Sequence, residues 1–381
     1  MVKERTVFIT GVTGLVGSYI TKVFLENGHR VYALARPKDE QGAQQRVGDI
    51  LKFWNEKILD EYGSNLIVIE GDITKPNLGL TIIERDVLKN EIEEIFHCAA
   101  ATQLNLPLAE LRFINVEGTR HVLELGYEWN KNGKLKKVNY FSTAYVCGDY
   151  EGIFKEGDLE IGQKLHTSYE QSKFEAEKLV KAYRKKGLWI DIFRPAAVTG
   201  ESATGRTFKF EHIYELLYLW SLDVLDFFPN EESFSIDFAC IDHIAQAILS
   251  IFNNSNMKNE TYHLFGEKPF FTKDIFQLAR TYIGFKKTSL VTWEEFNKKE
   301  ISPTQRKIIN KINAFNVVLQ TKLDSAQTRH ILKNKCNFIF PIFTSEHFSN
   351  ILRYVVQSGF IKKRRKKNTH SLTALPQQEN R

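Results

Sequence analysis

The sequence predicts a doubly wound α/β fold, in which helices cover both faces of a parallel β-sheet. Short apolar strands alternate with helical segments over the first half of the chain. A glycine-rich turn, Thr10–Gly17, lies between the first strand and the first helix. Hydrophobic residues make up 43% of the 381 residues and aromatic residues 12%, which is enough to bury a large core.

The predicted strands are apolar and β-branched, as expected for a sheet that is buried on both faces. They are Thr6–Thr10, Arg30–Ala35, Asn65–Glu70, Glu94–Ala99, Lys137–Ser142 and Trp189–Arg194. The helices between them are Leu15–Asn27, Gln44–Glu61, Thr81–Asn90, Leu108–Asn130 and Tyr169–Lys186. In such a sheet the ligand binds beyond the carboxyl ends of the strands. The residues at these ends are Gly11, Arg36, Asp72, Ala100 and Thr143.

The glycine-rich turn suits the pyrophosphate of a dinucleotide. Gly11 permits a tight turn, Gly14 lets the backbone approach the phosphates, and Gly17 lets the helix pack against the sheet. The amide groups and the positive dipole end of the helix point at the phosphates. The Gly-x-x-Gly-x-x-Gly spacing is one residue longer at the front than the Gly-x-Gly-x-x-Gly motif of dehydrogenases. The candidate cofactor contacts of the turn are Gly11, Thr13, Gly14, Leu15, Val16 and Gly17.

Arg36 predicts NADP(H) rather than NAD(H) as the cofactor. In this fold an acidic residue after the second strand binds the ribose 2′-hydroxyl, whereas a nearby arginine accommodates a 2′-phosphate. Here Arg36 and Lys38 follow the strand, and the first acidic residue is Asp39. A guanidinium group pairs with phosphate in bidentate fashion, and the lysine adds positive charge.

Tyr169 and Lys173 form a Tyr-x-x-x-Lys pair, which places a phenol and an ammonium group on one face of a predicted helix. The bare pattern is also common on solvated helices. Combined with a glycine-rich turn earlier in the chain, the pair predicts hydride chemistry on a carbonyl group.

These motifs resemble those of the extended short-chain dehydrogenase/reductases, a Rossmann-fold family. Within it they are most similar to the thioester reductase and fatty acyl-CoA reductase branch, the male sterility type. The resemblance extends from Thr6 to about Phe360. Two segments favour this branch over sugar-nucleotide enzymes, namely Asp72–Leu80 and Tyr169–Glu177. Further shared motifs are Phe96–Ala101, Asn115–Thr119, Ser142–Val146 and Arg194–Pro195.

The resemblance implies a catalytic group of Thr143, Tyr169 and Lys173. Tyr169 would act as the general acid that protonates a carbonyl oxygen as hydride reaches its carbon. The charge of Lys173 would lower the pKa of the phenol from about 10 toward neutrality, and its ammonium group would bind the nicotinamide ribose. Thr143 would hydrogen-bond the substrate carbonyl, because the adjacent Ser142 points to the other face of its strand.

The resemblance also implies further cofactor contacts after the third, fourth and sixth strands. They would flank the adenine, let the backbone approach the cofactor closely, and lie near the nicotinamide carboxamide, respectively. Asn115 would have a structural and proton-relaying role, although ordinary packing is an equal alternative for Asn115 and Val198. The full set is Asp72, Ile73, Ala99, Ala100, Ala101, Asn115, Tyr169, Lys173, Pro195 and Val198.

Composition argues against several other classes of protein. The start of the chain lacks an apolar signal region, and no apolar run approaches the ~20 residues of a membrane span. The four cysteines are scattered without Cys-x-x-Cys spacing, which is typical of reduced thiols rather than of disulfides or a zinc site. We therefore expect a cytoplasmic enzyme with no metal and no transmembrane segment.

The basic tail accounts for the formal charge. The run Lys362–Lys367 contains six positive charges, and the formal net charge is +6. The remaining chain is formally neutral, so its charge does not predict nucleic-acid binding. We expect a disordered, solvated tail, with weak contact to an anionic membrane or an acidic carrier protein as the alternative.

We predict an NADP-binding domain over 1–200, a mainly substrate-binding lobe over 201–360, and the tail over 361–381. The aromatic helix pattern at 211–220 predicts either part of an acyl channel or ordinary core. For His166 and His212 a satisfied or exposed side chain is a better interpretation than substrate contact. Thr292 to Glu295 form a predicted capping box.

Three functions are compatible with these features. The first is NADPH-dependent reduction of an acyl thioester, bound to coenzyme A or a carrier protein, or of a related carbonyl. The second is a sugar-nucleotide epimerase or dehydratase, or a sterol-type dehydrogenase, on the same fold. The third is a non-catalytic NADP sensor, which the presence of both Tyr169 and Lys173 disfavours.

Overall fold

A seven-stranded parallel sheet forms the centre of the computed structural model, which describes residues 4–103, 106–254, 258–306 and 321–362. In chain order the strands are β1 (Thr6–Thr10), β2 (Arg30–Ala35), β3 (Leu66–Glu70), β4 (Glu94–His97), β5 (Lys137–Phe141), β6 (Ile153–Phe154), β7 (Ile190–Pro195), β8 (Ala197–Thr199), β9 (Phe227–Pro229), β10 (Ser235–Ile236), β11 (Phe238–Cys240), β12 (Thr261–Leu264), β13 (Phe270–Phe271), β14 (Ser289–Val291) and β15 (Lys322–Leu323). The helices are α1 (Leu15–Glu26), α2 (Ala43–Trp54), α3 (Ile58–Tyr62), α4 (Ile82–Glu91), α5 (Leu108–Leu111), α6 (Gly118–Asn132), α7 (Ser168–Lys185), α8 (Ile213–Leu222), α9 (Ile241–Asn253), α10 (Thr272–Ile283), α11 (Trp293–Asn297), α12 (Ala326–Cys336) and α13 (Ser345–Gln357).

The central strands run in the order β12-β7-β5-β4-β1-β2-β3. This is the doubly wound order, in which the chain reverses direction across the sheet between β1 and β4. The predicted fold class is confirmed. A ligand is expected at that switch point, beyond the carboxyl ends of β1 and β4.

The predicted helix over Gln44–Glu61 is wrong as a single helix. Extended backbone at Asn55, with φ −146° and ψ 111°, ends α2, and α3 begins three residues later. The Asn55 side chain accepts a hydrogen bond from the backbone N–H of Lys57 at 3.1 Å. Such local side-chain bonds compete with helical hydrogen bonds, which explains the break.

The helix predicted over Leu108–Asn130 contains a π-helical turn at Arg112–Glu117, between α5 and α6. A π-turn inserts an extra residue into the helix and is frequent at functional sites. The turn carries Asn115, which is buried. Sequence periodicity gives no warning of it, because the flanking residues keep a helical pattern.

Alternate residues of β1 pack on opposite faces of the sheet. Val7 and Ile9 belong to the cluster that α1, α2 and α9 cover. Phe8 packs on the other face, where its ring lies 5.8 Å from that of Trp129 on α6. The strand is therefore buried on both faces, as its continuous apolar sequence predicted.

A separate hydrophobic cluster lies in the C-terminal part of the chain. Trp220 of α8, Phe276 of α10 and Phe348 of α13 are buried in it. By contrast, α9 and β12 return to the central sheet. We retain as a proposal the division into a sheet domain (1–200) and a lobe (201–360). The basic run Lys362–Lys367 lies outside the described residues, apart from its first member.

None of the helices that the structure describes combines the length and the apolar character needed to cross a bilayer.

Candidate active site

At two positions of the glycine-rich turn the backbone leaves no room for a side chain. Gly11 has φ +75°, and a Cβ atom there would lie 2.5 Å from the backbone nitrogen of Ala99. A Cβ atom on Gly17 would lie 2.3 Å from the carbonyl oxygen of Gly11. The N–H of Gly14 donates to that same oxygen at 2.8 Å, which closes the turn. Thr13, Leu15 and Val16 line the turn as half-buried residues.

The start of α1 fits an anionic group. Among the described residues no side chain caps this helix at Gly14. Its first amide groups therefore remain available to phosphate oxygens, and the helix dipole favours negative charge there. The half-buried small residues Ala99, Ala100 and Ala101 follow β4 next to the turn. These features match a dinucleotide, which would be held by the turn and by the loop after β4.

Arg36 lies at the end of β2, where its side chain is 65% exposed and its Nη1 atom is 3.5 Å from Oδ2 of Asp72. Oδ1 of Asp72 accepts hydrogen bonds from the backbone N–H and hydroxyl of Thr74, at 2.9 and 2.8 Å. Partial burial raises the pKa of Asp72, but these bonds and the Arg36 charge lower it below its ordinary value. Arg46, which the sequence analysis missed, donates a hydrogen bond to the Arg36 carbonyl oxygen. Two guanidinium groups thus lie at the site predicted for a 2′-phosphate.

The fold places the side chain of Thr143 next to that of Tyr169. Thr143 follows β5 and is buried, and its side chain lies close enough to that of Tyr169, at the start of α7, to influence the pKa of the phenol. A capping box of Thr167 and Glu170 fixes the first turn of α7. The Ser142 hydroxyl instead donates to the carboxylate of Glu177, further along α7, at 2.6 Å.

The expected lowering of the Tyr169 pKa is not found. Burial raises the pKa of Tyr169 to about 12, against the opposing effect of the nearby Thr143 side chain. The Lys173 ammonium donates to the carbonyl oxygen of Phe141 at 2.6 Å and lies 4.5 Å from the centre of the Tyr140 ring. Burial lowers the pKa of Lys173 to about 7. Desolvation is therefore the largest influence on the pKa of both groups, and Tyr169 is a protonated phenol at neutral pH.

Asn115 connects the loop after β4 to α7. Its amide nitrogen donates to the Ala101 carbonyl at 3.0 Å and to the Ser172 hydroxyl at 2.9 Å. Its amide oxygen accepts from the Ala101 N–H at 2.8 Å. Both amide hydrogens have protein partners, so the geometry favours a structural role over direct contact with substrate.

His97 was quoted in a sequence motif but not assigned a role. Its Nδ1 atom is 2.8 Å from the Thr10 hydroxyl and its Nε2 atom is 3.0 Å from the Thr119 hydroxyl. Thr119 donates to the Asn115 carbonyl at 2.6 Å, so it accepts from His97 and the proton lies on Nε2. Burial lowers the pKa of His97 to about 3, which keeps the ring neutral. The ring thereby connects β1, β4 and the π-helical turn.

The remaining predicted contacts lie around this site. Ile73 packs against Gly118, where a Cβ atom would come within 2.7 Å of its Cδ1 atom, so its side chain faces the core. Pro195 is buried at the end of β7, paired with Leu264. Val198 is half-buried in β8.

Glu211 lies near Tyr169 and was not predicted. Its charge contributes to raising the pKa of Tyr169. It accepts a hydrogen bond from the Thr102 hydroxyl at 3.1 Å and lies 3.7 Å from the Lys209 ammonium. This group connects the loop after β4 to the segment that precedes α8. A single glutamate in an amphipathic segment gives no sequence signal for such a contact.

The aromatic stripe of α8 is mostly core. Leu217 and Trp220 are buried in the C-terminal cluster, and the Tyr214 hydroxyl accepts from the Gly200 N–H at 2.8 Å. His212 begins the helix with φ +57° and is largely buried, which lowers its pKa. Nε2 of His166 lies 2.9 Å from Oδ2 of Asp149 near the surface.

No group of three or more His, Cys, Asp or Glu side chains suited to a metal ion occurs within residues 4–103, 106–254, 258–306 and 321–362.

Comparison with known proteins identifies relatives that are reductases. The NAD-binding family model described as male sterility protein matches residues 9–248. L-2-aminoadipate reductase of Saccharomyces cerevisiae is 31% identical over 273 residues, which cover 67% of this chain and 19% of the relative. The chain thus spans about a fifth of the length of such curated relatives.

Solved structures of reductase domains are also similar to this chain. The terminal R domain from the myxalamid PKS-NRPS biosynthetic pathway is similar with a TM-score of 0.78 and 25% identity, over 94% of this chain and 92% of that domain. A thiolation-reductase di-domain from an archaeal non-ribosomal peptide synthetase has a TM-score of 0.77 at 23% identity, over 95% of this chain and 77% of that one. At this identity the second likeness shows the fold alone. Because the family model matches more than half of the residues, the chain belongs to the NAD-binding family of male sterility proteins.

Proposed function

We propose that this protein reduces acyl thioesters to aldehydes with NADPH as the hydride donor. The observation that carries the proposal is the grouping of Thr143 and Tyr169 with Lys173 beyond the carboxyl end of β5, where Lys173 binds the carbonyl oxygen of Phe141. The pair lies on the edge of the sheet where the glycine-rich turn leaves β1. Reductases among the relatives support the same reaction class.

The side chains divide the chemistry between them. Thr143 and Tyr169 offer two hydroxyl groups to one carbonyl oxygen, and this polarises the thioester. The bound dinucleotide would supply hydride to the carbonyl carbon. Tyr169 then donates its proton to the oxyanion, which gives a hemithioacetal, and this collapses to an aldehyde and a free thiol. The raised pKa of Tyr169 suits this direction, because the phenol carries its proton at neutral pH.

The preference for NADPH rests on Arg36 and Arg46. Both guanidinium groups lie near the end of β2, and Arg36 is largely exposed. The carboxylate of Asp72 holds Arg36 from one side, which leaves its other nitrogen atoms for a phosphate. Gly11, Gly14 and Gly17 would receive the pyrophosphate.

The acyl group would be delivered as a coenzyme A ester or on a carrier protein. A solved neighbour that combines thiolation and reductase domains favours the carrier. All four cysteines are free thiols, which is in keeping with a cytoplasmic location. The tail contact with an anionic membrane stays an untested part of the sequence-based prediction.

The decisive experiment is NADPH consumption against a panel of substrates. The panel contains acyl-CoAs, acyl groups on a carrier protein, aldehydes, sterols and nucleotide sugars, and Tyr169→Phe serves as the inactive control. Turnover with a thioester that the substitution abolishes supports the proposal. Oxidation or reduction of a sterol, or conversion of a nucleotide sugar seen by product analysis without net NADPH consumption, would instead establish one of the alternatives. NADPH binding without turnover on any of these compounds would support the sensor.

A further inference from the structure

Helix α7 presents a third ionisable side chain in line with Tyr169 and Lys173. Glu177 follows them at the same four-residue spacing, so all three share one face of the helix. Glu177 is completely buried, and the chemistry proposed above does not use it. A buried carboxylate on a catalytic helix needs partners that offset its desolvation.

Two partners hold this carboxylate. The Ser142 hydroxyl donates to Oε2 at 2.6 Å, and Nε of Arg194 donates to the same oxygen at 3.1 Å. Nη2 of Arg194 binds Oε1 at 2.5 Å. Arg194 is itself fixed by the carbonyl oxygens of Asp158 at 2.6 Å and Glu156 at 3.3 Å. The position of Glu177 is therefore set by β7 and by the segment after β6.

These bonds attach the end of β5 to α7 at two successive residues. The Lys173 ammonium binds the carbonyl oxygen of Phe141, and Glu177 binds the side chain of Ser142. Thr143 is the next residue, and its side chain lies close to that of Tyr169, one helical turn before Lys173. A shift of the β5 end would thus change the Thr143–Tyr169 geometry directly.

We propose that Glu177 is a positioning residue, which places Thr143 through Ser142 and places a negative charge on the helix face that carries the buried Lys173. The role rests on the proposed function of Thr143, Tyr169 and Lys173. Glu177 itself touches neither substrate nor cofactor in this scheme.

Electrostatics support the second half of the role. Burial lowers the pKa of Lys173 to about 7, and the charge of Glu177 opposes that effect. Arg194 and the Ser142 hydroxyl outweigh the burial of Glu177 and lower its pKa, so it stays ionised. The other titratable groups near the ammonium are held neutral by burial; they are His97 at the end of β4, Cys98 directly after it, and Tyr140 on β5. Tyr169, one helical turn before Lys173, also keeps its proton.

The first test removes one hydroxyl group. Ser142→Ala breaks the bond to Glu177 but leaves the ion pair with Arg194. We expect kcat to fall about tenfold, with NADPH affinity and KM changed by less than about twofold, because small displacements of a reacting group are costly. Ser142→Thr, which keeps the hydroxyl, should recover most of the activity. The matched control is Ser202→Ala, which removes another hydroxyl–carboxylate bond of 2.6 Å, to Asp242, and should leave kcat unchanged.

The second test measures the charge of Lys173 without turnover. Lysine-labelled protein is titrated by NMR, and Lys173→Ala identifies the signal. In Glu177→Gln the pKa of Lys173 should fall by at least about 0.5 pH unit, since a favourable negative charge is lost. The alkaline limb of the pH–kcat profile should shift to lower pH by the same amount.

The outcomes separate this role from the proposed function. A wild type without thioester turnover defeats the proposed function, whereas the NMR titration still decides whether Glu177 sets the charge of Lys173. Full kcat in Ser142→Ala would overturn the positioning role, and this test stands even if Glu177→Gln does not fold. An unchanged Lys173 pKa in folded Glu177→Gln would overturn the electrostatic role.

Discussion

The carboxyl edge of the central sheet and the C-terminal lobe are both well packed, but they constrain their residues differently. At the sheet edge the backbone itself excludes alternatives, as at Gly11 and Gly17, where a Cβ atom would collide with main-chain atoms. In the lobe, Trp220 packs edge-on against Phe228 and Phe276 with ring centres 5.4 and 5.1 Å apart. Other large apolar residues fill such a space nearly as well, provided that total volume is kept.

The difference indicates that the residues at the sheet edge serve chemistry, whereas those in the core of the lobe serve packing. The side chains at the sheet edge are held by short polar bonds to main-chain atoms, such as that from Lys173 to Phe141. We therefore expect substitutions there to change catalysis or cofactor binding more than stability. Substitutions in the lobe core should do the reverse. The following predictions test that contrast, starting with the largest effect.

Tyr169→Phe should lower kcat by about 10³-fold, since loss of a general acid costs 10²–10⁴-fold. The free energy of unfolding and the NADPH affinity should stay close to those of wild type, because only a hydroxyl is lost. Steady-state kinetics, fluorescence titration with NADPH and chemical denaturation measure the three quantities. Tyr183→Phe on the same helix is the control and should keep full activity. Near-normal turnover of Tyr169→Phe would exclude Tyr169 as the acid.

Trp220→Ala should destabilise the protein by about 3 kcal/mol, because a fully buried aromatic side chain is replaced by a cavity. Urea denaturation measures this loss. The NADPH affinity of the folded fraction should be unchanged, since α8 contributes to a separate cluster. Tyr218→Ala, at a position 43% exposed on the same helix, should cost less than about 0.5 kcal/mol. If Trp220→Ala weakened NADPH binding more than stability, the contrast between the two regions would fail.

The same contrast explains which features of the molecule could be predicted from its sequence. The bounds of β1 and β2 agree with the prediction, because apolar, β-branched runs between turns specify buried strands. Thr143 and Tyr169, which were chosen from the motif, lie close together, and their catalytic role stays a prediction. The pKa of Tyr169 could not be predicted in this way, because its largest influence is burial, which depends on how distant segments pack.

Other parts of the site depend on contacts that are remote in sequence. The contact of Glu211 with Thr102 joins residues 109 apart in the chain. The bond from Arg46 to the Arg36 carbonyl crosses from α2 to the end of β2. A sequence pattern reports local periodicity and spacing, so it identifies the motif residues but not these partners.

Gly11→Ala should weaken NADPH binding by about 2 kcal/mol, because the added Cβ atom would push on the backbone of Ala99 in the cofactor loop. Gly28 provides a matched control. Its φ of +76° nearly equals the +75° of Gly11, but no atom lies within 4 Å of a Cβ atom built there. Both substitutions should lose about 1–2 kcal/mol of stability for the left-handed backbone. Gly11→Ala alone should also lose NADPH affinity, as measured by calorimetry. Equal affinities for the two variants would contradict the assignment of the turn.

Arg36→Ala has the smallest expected effect, because the side chain is largely exposed and solvent screens its charge. Wild type should bind NADPH at least about tenfold more tightly than NADH, a difference of about 1.4 kcal/mol. The substitution should remove most of that preference and leave the NADH affinity unchanged, since only the 2′-phosphate distinguishes the two cofactors. Arg30→Ala is the control, because Arg30 lies at the opposite end of β2 and faces Glu91 at 3.9 Å. Fluorescence titrations at two salt concentrations should show the preference decreasing as ionic strength rises. Equal affinities of the wild type for NADPH and NADH would remove Arg36 from cofactor selection.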